Sequence, residues 1–214
     1  MDIPVVENVL KLNDEVASIN RKTLTQAGVY TVDLIGSPGS GKTSLLEATF
    51  KQIGEKARIG VLVGDLTTAR DATRIAKWCP DVVQINTGKG CHLDANQVRQ
   101  GLDRLKLEEL DILVIENVGN LICPVGFDLG QNSKVGLFSV AEGDDKPAKH
   151  PYIVQEAELL LLNKMDLLPH VTFDMDVFKE DITRINPTVK LLEVCATNGW
   201  INEWCDWLLA KAGK

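Results

Sequence analysis

Apolar residues fall along this chain in two rhythms. Near the N-terminus Val5, Val9, Leu10, Leu12, Val16, Ile19 and Leu24 recur among charged neighbours. That helical spacing predicts an amphipathic helix over about 5–27, with Gly28 as its stop. Beyond it, short apolar runs alternate with segments of helical period. The runs predict strands at 29–35, 58–63, 82–86, 111–115, 135–140, 158–162 and 190–194. They are nearly continuous rather than alternating, as strands buried on both faces are. Between them, helices are expected at 42–53, 67–78, 92–106, 174–184 and 200–211, and irregular chain at 117–134 and 141–150. Regular alternation of strand and helix predicts an α/β, doubly wound, mostly parallel sheet. One domain over 1–214 is expected, since no repeat, low-complexity stretch or boundary interrupts the pattern.

The first strand-to-helix turn carries the chemistry. Gly36-Ser37-Pro38-Gly39-Ser40-Gly41-Lys42-Thr43 matches G-x-x-x-x-G-K-[ST] between a strand and a helix, which makes the fold a P-loop NTPase. Glycines let backbone N–H groups turn toward phosphate oxygens, and the helix N-terminus adds a positive dipole end. Residues 36–44, Ser44 included, are the expected phosphate cradle. Lys42 would reach the β/γ-phosphates, and Thr43 would put its hydroxyl on Mg²⁺.

Asn163-Lys164-Met165-Asp166 directly follows a strand and fits N-K-x-D. An ionised Asp166 accepts two hydrogen bonds from guanine N1–H and the N2 amino group. Adenine would leave that carboxylate unpaired, and such mismatches are strongly rejected. Asn163 is expected to tie this loop to the P-loop, and the Lys164 stem to cover the base. Val194-Cys195-Ala196-Thr197-Asn198-Gly199 resembles the S-A-x-x-G loop of GTPases, whose backbone N–H meets guanine O6. Cys195 stands where that loop has serine. The nucleotide is therefore read as GTP/GDP.

Two strands end in carboxylates, Asp65 after Gly64 and Glu116 before Asn117. With Thr43 they are the expected protein groups around Mg²⁺, which keeps several waters. Gly119 would offer an N–H to the γ-phosphate. Lys42, Asp65, Glu116 and Gly119 are thus the expected catalytic set. No glutamine to orient water and no arginine finger stands out, so slow hydrolysis is expected.

Gly88-Lys89-Gly90-Cys91-His92-Leu93-Asp94 places two soft ligands side by side, and Cys123 adds a third. Adjacent side chains usually diverge, and three ligands fall short of a closed zinc site. Water, Asp94 or a second copy of the chain would have to complete it. The residues alone leave two readings open: a Zn²⁺ or Ni²⁺ site, or small core residues beside a helix start. Cys79 and Cys205 read as packing residues, as does the Cys195 side chain, and His150 and His170 as isolated histidines.

The formal net charge is −7, from 23 Lys and Arg against 30 Asp and Glu. That balance argues against nucleic-acid binding, which needs a basic face. No apolar stretch approaches the ~20 residues of a membrane span. The start of the chain lacks the pattern of a signal peptide, so a cytoplasmic protein with reduced cysteines is expected.

Taken together, G-S-P-G-S-G-K-T, G-K-G-C-H-L-D-A, E-N-V-G-N-L-I-C-P and N-K-M-D resemble the HypB family, SIMIBI-class nickel-insertion GTPases of [NiFe]-hydrogenase maturation. The resemblance runs from residue 5 to residue 211. It implies that Cys91, His92 and Cys123 bind Ni²⁺ or Zn²⁺ at the interface of a GTP-dependent homodimer. It further implies a metallochaperone partner and a hydrogenase large-subunit precursor as recipient. Asp145-Lys146-Pro147-Ala148-Lys149 resembles the family's D-K-P-x-K region, which makes Lys149 a candidate to approach the partner's nucleotide. Residues 1–30 contain no Cys or His, so the N-terminal nickel-binding motifs of some members are expected to be absent. Rival readings are a urease-type nickel-insertion GTPase, whose Cys-Pro-His motif differs from Cys91-His92, a P-loop small-molecule kinase, and a structural dimer that merely retains nucleotide.

Overall fold

The computed structural model describes residues 10–66 and 70–214. Within them seven strands form one sheet in the order β3-β2-β4-β1-β5-β6-β7, and every pairing is parallel. The strands are β1 (Tyr30–Gly36), β2 (Ile59–Asp65), β3 (Val82–Asn86), β4 (Ile112–Glu116), β5 (Ser133–Ser139), β6 (Leu159–Asn163) and β7 (Lys190–Glu193). All seven coincide with apolar runs in the sequence. β5 begins earlier than its apolar run because Ser133 and Lys134 pair with Val32 and Asp33 of β1.

Helices cover both faces. They are α1 (Lys11–Ala27), α2 (Lys42–Ile53), α3 (Arg70–Ile75), α4 (Ala95–Leu102), α5 (Lys146–Lys149), α6 (Pro151–Glu156), α7 (Met175–Ile185) and α8 (Asn202–Lys211). Alternate strand residues feed separate cores. Val32, Leu34, Val61, Val63, Val114 and Leu161 pack with Leu45, Ile75 and Trp204 of α2, α3 and α8. On the opposite face Leu62, Leu113 and Ile115 meet Leu24 and Val98 of α1 and α4. Ile35, Phe138 and Leu160 meet Ile153 and Phe178 of α6 and α7. Both sheet faces are thereby removed from water, which is why the strands are apolar throughout.

Several boundaries differ from the sequence reading. The first ten residues of the expected N-terminal helix include 5–9, which lie outside the described residues, as do 67–69 of the helix expected at 67–78. The helix expected at 92–106 starts only at Ala95, because Asp94 caps it: its carboxylate accepts from Gln97 N at 2.7 Å, and Gln97 Oε1 accepts from Asp94 N at 3.1 Å. That capping box commits Asp94 to the helix and removes it as a fourth metal ligand. The stretch 141–150, expected to be irregular, holds α5 and runs into α6, each with proline in its first turn. No helix among the described residues is long and apolar enough to cross a membrane.

β1 lies at the centre, and the chain leaves it in opposite directions on its two sides. Crevices form at the carboxyl ends of strands where such reversals occur. The P-loop, Glu116 and Asn163 all sit at that edge.

Candidate functional site

The P-loop joins Gly36 at the end of β1 to Lys42 at the start of α2. Gly41 takes φ = 101°, and a Cβ there would lie 2.4 Å from Asn163 Nδ2. Only glycine gives both the backbone angle and the close approach. Asn163, at the end of β6, donates to Ser40 O at 2.9 Å, while its Oδ1 accepts from Ala196 N at 3.1 Å. One buried amide thus holds three loops in register, as the sequence predicts. Lys42 Nζ caps Gly36 O at 3.0 Å and Ser37 O at 3.1 Å, and burial pulls its pKa down against the attraction of Glu116.

The phosphate cleft has a volume of about 480 Å³ and is lined by the P-loop, Asp65, Asp71, Arg74, Glu116 to Gly119 and Lys164. Thr43 Oγ1 donates to Glu116 Oε1 at 2.8 Å. Burial pushes the Glu116 carboxyl up to about 7, with Lys42 and Thr43 pulling the other way. Its Oε2 is buried without a hydrogen-bond partner. An orphaned carboxylate oxygen beside the P-loop threonine, with Asp65 on the same cleft, is a fitting set for Mg²⁺. Gly119 packs on Pro38: a Cβ at Gly119 would sit 3.0 Å from the proline ring and its nitrogen.

At the base end, Lys164 adopts φ = 63°, the one non-glycine positive φ among the described residues. Such strain concentrates at ligand sites. Here it turns the chain so that Asp166 faces the loop after β7. Cys195 Sγ donates to Asp166 Oδ1 at 3.1 Å, and Thr197 Oγ1 to Oδ2 at 3.4 Å. The Cys195 side chain is therefore more than packing. The backbone of this loop departs from expectation too. Cys195 N donates to Trp200 O at 2.8 Å and Ala196 N to Asn163, so the backbone N–H expected to meet guanine O6, whichever of these two it is, bonds within the protein here. The return bond, Trp200 N to Cys195 O at 3.1 Å, closes the loop as a small antiparallel bridge.

Cys91, His92 and Cys123 come together. One ligand atom from each lies within 4.8 Å of the others, although neighbours such as Cys91 and His92 are expected to diverge. The ring of His92 lies against Phe127, with centroids 3.8 Å apart, and its Nδ1 sits 3.5 Å from Cys91 Sγ. Burial holds the His92 pKa down, which keeps the imidazole neutral and able to ligate. The Cys91 thiol is pushed up by the hydrogen bond it shares with Cys123. Lys149 is exposed and ion-paired with Asp145.

Sequence reasoning missed two asparagines. Asn117 is buried. It donates to Asp33 Oδ1 at 2.9 Å and accepts from Leu93 N at 3.1 Å and Val118 N at 3.0 Å. Asn120 N donates to Gly36 O at 3.1 Å, and its side chain donates to Cys91 O at 3.4 Å. The segment after β4 therefore bonds both the P-loop and the Cys91–Leu93 loop. Asp33, a lone acid inside an apolar strand, was the readable signal for this network.

The sequence model described as CobW/HypB/UreG, nucleotide-binding domain, matches residues 30–193. The chain belongs to that family. Within the CobW/HypB/UreG family its similarity lies with HypB proteins. It is 44% identical to the hydrogenase maturation factor HypB of Azotobacter vinelandii over 210 residues, 98% of this chain and 69% of that one. Among solved structures, HypB from Archaeoglobus fulgidus superposes with a TM-score of 0.87 at 41% identity, covering 94% of this chain and 98% of that one. HypB from Helicobacter pylori in complex with nickel gives 0.90 at 34%, covering 94% and 95%. The relatives account for the seven-stranded P-loop architecture and set the small-molecule kinase reading aside.

Proposed function

We propose that this chain is a slow GTPase whose nucleotide state governs a soft metal ion carried as cargo, nickel delivered toward a hydrogenase precursor. The observation that carries this reading is the double attachment of the segment after Glu116. Asn120 bonds Gly36 of the P-loop through its backbone and Cys91 through its side chain, and Cys123 lies three residues further on. A change at the phosphates that moves this segment must move one metal ligand and the carbonyl of another.

Asp166, aligned by Cys195 and Thr197, selects guanine. Lys42 and the P-loop amides hold the phosphates. Mg²⁺, which supplies Lewis-acid charge neutralisation at the β/γ-phosphates, would be held by Thr43, Glu116 and water-linked Asp65. Gly119, seated on Pro38, brings the switch segment to the γ-phosphate side. Cys91, His92 and Cys123 supply three ligands to Ni²⁺ or Zn²⁺, and a second copy of the chain completes the set across a homodimer interface. Lys149, at the end of α5, is the candidate to approach the partner's nucleotide. A partner metallochaperone loads the site, and the hydrogenase large-subunit precursor receives the ion.

Metal titration in the two nucleotide states tests this. The full chain should bind nickel with different affinity when loaded with GDP and with a non-hydrolysable GTP analogue. Cys123→Ala should abolish the tighter of the two. Sedimentation should show a larger mass with the GTP analogue. Equal nickel affinity in both states, or an affinity indifferent to Cys123→Ala, overturns the reading.

A further inference from the structure

We infer that Arg74 of α3 is a nucleotide-contacting residue, bonding the α/β part of the polyphosphate and held ready there by Glu47. The inference rests on the GTP reading above and adds to it a cation that no motif in the sequence identifies.

Three observations converge. First, Arg74 lines the cleft that also holds Lys42, Thr43 and Glu116. Its guanidinium reaches the first turn of α2, with Nη2 3.2 Å from Ser44 Oγ, one residue past Thr43. Second, Glu47 grips the same guanidinium with both oxygens, at 3.2 Å to Nε and 2.6 Å to Nη2. The Arg74 side chain is 43% exposed. Asp71 Oδ1 makes a second, longer contact, 3.7 Å from Nη1, and a polyphosphate with several charges competes with these two water-exposed carboxylate pairings for the guanidinium. The planar fork that fits Glu47 also fits two phosphate oxygens. Third, Arg74 is one of three cations that line the cleft. Among the described residues its acids are Asp65, Asp71 and Glu116, and its cations are Lys42, Lys164 and Arg74. Asp65 and Glu116 face the proposed Mg²⁺, which leaves Lys42, Lys164 and Arg74 as the lining cations available to the phosphates.

The attachment at Ser44 and Glu47 decides which phosphates are served. Both belong to the first two turns of α2, Ser44 directly after Thr43 and Glu47 one turn further, whereas the segment proposed to meet the γ-phosphate follows Glu116. GDP and GTP should therefore gain equally from Arg74.

Equilibrium binding of GDP and of a non-hydrolysable GTP analogue tests this on the full chain. Arg74→Met keeps the stem that packs between α2 and α3 and removes the charge. It should raise both dissociation constants by the same factor, about tenfold or more. Arg74→Lys should recover part of the loss, and the dependence of affinity on salt should be shallower in Arg74→Met. Glu47→Gln removes the shorter of its two carboxylate pairings, leaving Asp71, and should bind GDP at least as tightly as the parent chain. GDP binding by Arg74→Met within twofold of the parent overturns the inference. So does a loss confined to hydrolysis with both affinities intact. A Glu47→Gln defect as large as that of Arg74→Met would also overturn it, since the bridge would then serve only to join two helices. Failure of the parent chain to bind guanine nucleotides at all defeats the GTP reading itself, a different result from any of these.

Discussion

Cys195 shows how a single position can look wrong in a sequence and be chemically sound. It stands where similar loops have serine, and it uses its S–H as a serine would use its O–H, donating to Asp166 Oδ1. A carboxylate aimed by a donor keeps its acceptor lone pairs toward a base. Cys195→Ser should therefore retain guanine affinity and selectivity, whereas Cys195→Ala should weaken GDP binding several-fold and narrow the preference over ADP, as measured by competition. Asp33 is the second telling residue. It is fully buried, and burial pushes its carboxyl up from 3.8 to about 7 against the opposing pull of the Asn117 amide and the Lys134 charge. Its folded pKa lies above its unfolded one, so the native state holds the proton more tightly. Stability from this group is complete below pH 3.8 and is lost as pH rises toward and through 7. The expected loss is on the order of 4 kcal/mol when ionisation is complete. Asp33→Asn keeps the acceptor for Asn117 without the charge. Its melting temperature should fall less than the parent's between pH 5 and pH 8; parallel curves would refute this.

At the scale of elements, α1 does more than cover the sheet. Asn13 donates to Asp128 O and accepts from Ala95 N, while Asn20 donates to Ala95 O and Leu129 O. The helix thus clamps the start of α4, just after His92, to the chain just after Cys123. Asn20→Ala would remove both bonds and leave the Leu129 carbonyl without its Asn20 donor, at a cost of about 1–2 kcal/mol, and should show as a lowered denaturation midpoint with weakened metal binding. Little of this clamp was legible in the sequence. The apolar stripe of α1 is periodic and readable, but polar residues that bond distant backbone leave no periodic trace. The strands were readable because burial on both faces demands apolar runs, and α2 because the P-loop motif fixes its first residue. The late start of α4 and the presence of α5 and α6 depend on capping and proline placement, which override the weaker apolar period.

For the molecule as a whole, the site is a set of strand ends brought to one edge by the parallel topology. Motif residues were legible as a group: Lys42, Thr43 and Glu116 line one cleft, Asn163 bonds the P-loop, and Asp166 meets the loop after β7. Asn117, Asn120 and Arg74 were not, because their importance comes from partners far away in sequence. Gly119 tests the connection between the halves of the site. Gly119→Ala places a methyl against backbone and ring atoms of Pro38, so the P-loop or the switch segment must yield. GTP-analogue affinity should drop at least several-fold, and the nucleotide dependence of nickel binding should shrink with it. The bridge that closes the loop from Cys195 to Trp200 has an optical consequence. Trp200 is 49% exposed and tied through two backbone bonds to the residue that aims Asp166. Trp204 is buried, with its indole N–H on Thr49 of α2. Two indoles of opposite environment therefore follow β7. If the loop shifts when a guanine nucleotide binds as proposed, intrinsic fluorescence should report it without a label, and the signal should shrink in Trp200→Phe.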